Sequence, residues 1–234
     1  MQLREFFGEK LKAYIFSKVS LISLFLGLVF LSGAGEVWGQ IAQRGTATTA
    51  TSGNNTLTIA RPSGLQVGDL MISTIHQTDN DDETLNQDTP PAGWTFIAGS
   101  RYRTDDDDEW RVDFFYKIAT GADLSAANFG FDGDGDADDM QGAIIAFSGV
   151  DTTNPFDATG VIQINGNSQT VTASSITTVT SNAAVVMLAA INDNRSFNGN
   201  WSTTDPGVLT EVFDEPFNAD LDMGIGGAWA IKSN

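Results

Sequence analysis

The chain has 234 residues, with 30 acidic and 12 basic side chains giving a net charge of −18, one histidine and no cysteine. A surface this negative repels nucleic-acid phosphates and anionic lipid, which sets nucleic-acid binding aside. Without cysteine there is no disulfide, no thiolate metal site and no cysteine nucleophile. The N-terminal stretch MQLREFFGEKLKAYIFSK carries Lys10, Lys12 and Lys18 and leads into the apolar run VSLISLFLGLVFL at 19–31, followed by SGAGEVWGQ. Basic, apolar, then small-residue order predicts a secretory signal over 1–39, with Val37 and Gly39 at the small positions and Gln40 as the first mature residue. The apolar run spans 13 residues, short of the roughly 20 that cross a bilayer. The alternative is an uncleaved membrane anchor. Removal of the signal takes four basic and three acidic residues, moves the net charge to −19, and places the mature chain outside a bacterial cell or on its surface, free of the membrane.

From Gln40 onward no segment sustains helical apolar spacing, whereas short β-rich runs recur between turn signals. Residues 40–55, rich in Thr, Ala, Ser and Gly, read as a leader or weak first strand, and 56–234 as one β domain. Strands are expected at 55–60, 69–77, 94–102, 109–119, 126–131, 140–150, 159–164, 169–174, 183–191, 207–213 and 223–232, with RPSG, TPPAG, GADLS, TTNP and TDPG as turns. In the 109–119 strand Val112, Phe114, Tyr116 and Ile118 alternate with Arg111, Asp113 and Lys117, which predicts one core face and one solvent face. AAVVMLAAI at 183–191 has no polar break and is expected at the centre of a two-sheet antiparallel sandwich.

GLQVGDLMIS (64–73), PAGWTFI (91–97), FFYKIAT (114–120) and AIIAFSGVDTTNPFDA (143–158) occur in an order that resembles lectin-like β-sandwich modules of secreted multidomain bacterial proteins and phage tail or adsorption proteins. The resemblance covers about residues 45–232 and rests on turn and core positions. It implies a jelly-roll, concanavalin-like architecture and an extracellular binding or assembly role, and it carries over no catalytic residue. In those modules the segment matching 223–234 is followed by a further strand. Either more chain completes this domain or the sandwich is open. An open sandwich would make 223–232 an edge that accepts a strand from a copy of the chain or another subunit, with the leader at 45–52 as donor.

Three acidic stretches stand out, at 78–83, 104–109 and 132–139. Asp132, Asp134 and Asp136, spaced by glycines, match the first half of a calcium loop. Position six is Ala137 and position twelve Ala143, so the stretch is not an EF-hand. If consecutive strands run antiparallel, the 103–108 and 132–139 turns share one end. Asp105, Asp106, Asp107, Asp108 and Glu109 would then join Asp132, Asp134, Asp136, Asp138 and Asp139 around calcium, with 78–83 at the other end. The alternative is that the acidic turns serve solubility.

Trp201, in the polar loop NGNWSTTDPG, is the candidate sugar-stacking ring, with Asn192, Asp193 and Arg195 nearby as hydrogen-bonding groups for a glycan or cell-surface ligand. A hydrolase triad would have to rest on His76, and no GxSxG elbow accompanies it. Glu211 and Glu215 share a strand face while Asp214 points away, which breaks a glycosidase pattern. The sequence therefore reads as an extracellular binding and structural module, an adhesin, matrix or filament component stabilised by calcium, and not an enzyme. A secreted glycoside hydrolase of sandwich fold is the alternative.

Overall fold

A computed structural model describes residues 39–79, 85, 90–103, 109–135, 137–166, 168, 170–218 and 220–232. The expected signal segment thus lies, but for Gly39, outside the described residues. The chain is nearly all β, consistent with a sandwich. Its strands are β1 (Ala42–Gln43), β2 (Thr48–Ser52), β3 (Thr56–Ala60), β4 (Leu70–Asp79), β5 (Thr95–Arg103), β6 (Glu109–Ile118), β7 (Asn128–Asp132), β8 (Asp139–Ser148), β9 (Ala184–Ile191), β10 (Thr210–Phe217) and β11 (Met223–Ile231). The only helix among the described residues is the single turn α1 (Gly121–Ser125), in the expected GADLS turn.

The strands form three antiparallel sheets. The largest has the order β1-β8-β4-β6-β5, with β2 also on β8; β3 pairs with β7; and β10-β11-β9 form the third. Strands β4 and β8 explain why there are three layers where two are expected. Leu70, Met71 and Ile72 are all buried, as are Ile144, Ile145, Ala146 and Phe147, so consecutive residues pointing to opposite faces both need cover. Met71, Ile75, Phe115, Met140 and Ile144 pack against Leu57 and Ile59 of β3 and Phe129 and Phe131 of β7. On the other face Leu70, Ile72, Ile145 and Phe147 meet Val186, Leu188, Val212 and Trp229 of the three-stranded sheet. The Trp229 indole N–H donates to Gln43 Oε1 at 3.0 Å, which ties that sheet to β1.

Other expectations change. AAVVMLAAI is an outer strand of the three-stranded sheet, and MGIGGAWAI, expected at an edge, is its middle strand. The apolar run in β9 reflects cover on both faces, by the inner core through Val186 and Leu188 and by an outer cluster through Met187 and Ala189. The leader residues 48–52 are paired with β8 of their own chain. Residues 159–164 and, of the expected 169–174 strand, the described residues 170–174 are not strands. There the side chains take over from the backbone ladder. Asn165 Nδ2 donates to Thr172 O at 2.8 Å, Thr172 Oγ1 to Asn165 Oδ1 at 2.7 Å, and Ser174 Oγ to Gln163 Oε1 at 2.9 Å.

Candidate functional site

The strand directions gather the acidic stretches differently from expectation. β6 and β8 both run antiparallel to β4, and β5 antiparallel to β6, so β5 runs the same way as β4. Asp79 is therefore paired with Glu109, and Thr78 with both Trp110 and Asp139. Thr78 and Asp79, the described residues of the 78–83 stretch, thus stand at the end that carries Glu109 and Asp139, not at the opposite end. Residues 80–83 lie outside the described residues.

The 132–139 turn is held by its backbone. Gly133 N donates to Asn55 O at 2.7 Å, Asp134 N to Gln77 Oε1 at 2.9 Å and Asp138 N to Thr78 O at 3.0 Å. Asp139 accepts from Asp220 N at 3.2 Å, in the β10–β11 connection. Burial raises the Asp139 carboxyl; the Asp220 N–H opposes this, and repulsion from Asp220 and Asp138 adds to it. Glu109 is committed elsewhere, accepting from Leu85 N at 3.0 Å. Sheet alternation puts Asp139 on the face of Thr78 and Trp110 and Glu109 on the face of Asp79, so these two carboxylates stand on opposite faces of the sheet. Asp105–Asp108 and Asp136 lie outside the described residues. Among the described residues no three His, Asp or Glu side chains gather closely enough to hold a metal.

Inside this end the sheet is polar on both faces. Arg111 and Asp113, expected at solvent, are buried with Gln77 and Asp79. Arg111 Nε lies 2.7 Å from Asp113 Oδ2, and Nη1 donates to Leu85 O at 3.3 Å. Buried Leu85 is thus gripped through its N–H by Glu109 and through its carbonyl by Arg111. The opposite face carries Thr74, His76, Thr78 and Gln141, all buried. Neither His76 ring nitrogen has a hydrogen-bond partner among the described residues, and the ring edge meets Trp110 at 5.6 Å. Burial lowers the His76 pKa to about 3. An imidazole so placed has no nucleophile or orienting carboxylate bonded to it, and hence no triad geometry.

A second polar group sits on the outer face of the three-stranded sheet. Trp201, expected as an exposed stacking platform, is 6% exposed and packs on Ala189, Leu209 and Ala228. Its indole N–H donates to Glu211 Oε2 at 2.7 Å, and Phe197 lies 5.3 Å away, ring to ring. One glycine of MGIGGAWAI makes room: a Cβ on Gly226 would come within 2.6 Å of Phe197 Cδ2 and 2.8 Å of Trp201 Cζ2. Gly226→Ala is expected to push these rings outward, costing about 1–3 kcal/mol and red-shifting tryptophan fluorescence; equilibrium unfolding and emission spectra check it. Asn192, Asp193 and Arg195 are exposed beside this cluster, with Arg195 Nε 2.7 Å from Asp193 Oδ2.

The carboxylates here are also arranged against expectation. A bulge falls between Glu211 and Phe213, so Val212 and Phe213 both turn to the inner core, and Glu211 and Asp214 both face outward. Asp214 accepts from Phe197 N at 3.0 Å. Burial raises its pKa; the Phe197 N–H opposes that, and repulsion from Glu211 and Glu215 adds to it. The signal for this pair was two adjacent apolar residues, Val212 and Phe213, interrupting the alternation of EVFDE. No protein-family profile, curated protein or solved structure matches this chain.

Proposed function

We propose that this chain is a secreted, acidic β-sandwich of jelly-roll type that works outside a bacterial cell as a binding and structural module, with its acidic end as a calcium-dependent site. The observation that carries the reading is that Asp79, Glu109 and Asp139, the residues by which three acidic stretches separate in sequence join the sheet, stand at one end of it. Carboxylates gathered at one end repel one another, and a divalent cation would relieve that repulsion. Asp132, Asp134 and Asp138 would hold it, together with Asp136 and Asp105–Asp108; Asp139 and Glu109, on opposite faces, do not share one ion. With a dissociation constant on the order of 0.1 mM and calcium near 1 mM, binding adds about 1.4 kcal/mol of stability. That is a rise of a few degrees, roughly, in melting temperature. Scanning calorimetry in chelator and in millimolar calcium measures it, and superimposed curves refute the calcium site.

The ligand of such a module is proposed to be a glycan or other cell-surface group, met by exposed Asn192, Asp193 and Arg195, with Trp201 buttressing the loop from beneath. One observation favours a second reading, a carbohydrate-active enzyme: the bulge that brings Glu211 and raised Asp214 to one face, since an acid of raised pKa beside a second carboxylate is what glycoside cleavage uses. A polysaccharide panel separates the two. Retention without product supports the binding module; reducing ends released by the wild type and lost in Asp214→Asn support the enzyme.

A further inference from the structure

We propose that β9 is the strand by which two copies of this chain join, antiparallel and edge to edge, so that two three-stranded sheets become one continuous sheet across a two-fold axis. The inference rests on the reading of the chain as a binding and structural module and names a partner for it, a second copy.

The two outer strands of the three-stranded sheet differ in kind. β10 carries Glu211, Asp214, Glu215 and Pro216, and charge and proline are the usual means of blocking an edge, proline because it has no N–H to donate. β9 reads AVVMLAAI, with no charge, proline or glycine. Its one strand neighbour among the described residues is β11, so every second backbone N–H and C=O along its other side faces away from the ladder. The side chains agree with an uncovered edge. Val186 and Leu188 point into the inner core yet are only partly buried, while Met223, Ile225 and Ala228 of neighbouring β11 are 0% exposed.

Charge decides the occupant. The chain carries a net −18, and two copies approaching through most of their surface would bring like charges together. Residues 158–192, which contain β9, carry no charged side chain. The same run exposes Val161, Ile164, Ile176 and Val179, so it is apolar as well as uncharged. A second β9 therefore places no like charges opposite one another, supplies a matching row of N–H and C=O groups, and buries half-exposed apolar side chains.

Symmetry limits the registers. A two-fold axis normal to the sheet keeps each molecule's outer face on the same side, so facing residues must have the same parity. Met187, on the outer face with Ala189, then lies opposite Val185, Met187 or Ala189 of the second copy in the three registers centred on the strand, and in each of them the two Met187 side chains are neighbours.

The test uses exported wild-type chain and two variants. Light scattering after size exclusion is expected to show a mass that falls from dimer to monomer on dilution, and hydrogen exchange to show amides of 184–191 losing protection over the same range. A mass that stays monomeric at high concentration, or a dimer whose 184–191 amides exchange alike at both concentrations, overturns the proposal. Met187→Lys and Met187→Glu are each expected to be monomeric through like-charge repulsion, and their equimolar mixture to restore the dimer. Recovery in the mixture shows that both variants fold, and a dimer from either variant alone counts against β9. A monomer that is still retained on a polysaccharide sinks the dimer and leaves the proposed function standing; a β9 dimer that binds no ligand does the reverse.

Discussion

Replacing Arg111 with alanine is expected to lower the unfolding free energy by about 3–5 kcal/mol, the range for breaking one partner of a buried ion pair. The guanidinium and the Asp113 carboxylate are 1% and 0% exposed, so no solvent screens the loss. Removing Arg111 takes from the Asp113 carboxylate the guanidinium nitrogen 2.7 Å away, and it withdraws the donor that Nη1 offers the Leu85 carbonyl. Both groups lose a partner they cannot replace with water while the domain stays folded. The pair's own net contribution is a separate quantity. Arg111→Met combined with Asp113→Leu removes both charges and is expected to recover most of the stability, because two buried ions cost desolvation that an apolar pair does not. Denaturant melts of the two single variants and the double form a cycle. If Arg111→Ala alone costs under about 1 kcal/mol, the bridge is wet in solution and the buried polar end is misread.

That network marks where the sequence stops being informative. In EWRVDFFYK the alternation of Val112, Phe114 and Tyr116 with Arg111, Asp113 and Lys117 defines two faces correctly, but alternation cannot tell a solvent face from a polar interior. What covers Arg111 includes Leu85, which is remote in sequence. The unbroken apolar character of β9 was misleading in the same way. There half-burial on two sides, with Trp201 and Met187 outside and Val186 and Leu188 inside, imitates the composition of a central strand. The places of β9 and β11 are exchanged because side-chain pattern records burial and not order across a sheet. Strand direction has the same status. Nothing within 78–83 indicates that β5 runs parallel to β4, and that one fact puts Asp79 at the same end as Glu109 and Asp139. The QINGNSQTVTAS arm has strand composition without a strand, since Asn165 and Gln163 offer the backbone and hydroxyls of Thr172 and Ser174 a competing set of hydrogen bonds.

His76 is expected to make the folded state acid-labile in a window that no carboxylate explains. Its pKa is about 3 in the fold against about 6.5 for an unfolded histidine, because burial penalises the imidazolium. Between those values the unfolded chain binds a proton that the folded chain refuses. Stability is therefore fully present above about pH 6.5 and falls as the pH drops toward 3, with a slope approaching about 1.4 kcal/mol per pH unit and a total of roughly 5 kcal/mol. The carboxyls complicate the raw curve. Asp139 and Asp214, raised in the fold, take up protons more readily when folded and so work in the opposite sense as the pH falls. Asp123, pushed up by burial but brought lower overall by the hydrogen bonds from Lys117 and Thr120, loses its contribution at the acid end. A difference between two proteins removes these shared terms. His76→Phe keeps a ring against Trp110 and deletes two buried nitrogens without partners among the described residues, so it is expected to be at least as stable as wild type at pH 7. Its advantage should then widen steadily from pH 6.5 to pH 4. Urea melts across that range give the difference directly. Parallel curves for the two proteins would mean that His76 takes up its proton equally well folded and unfolded, and that the face carrying Thr74, Thr78 and Gln141 is open to water.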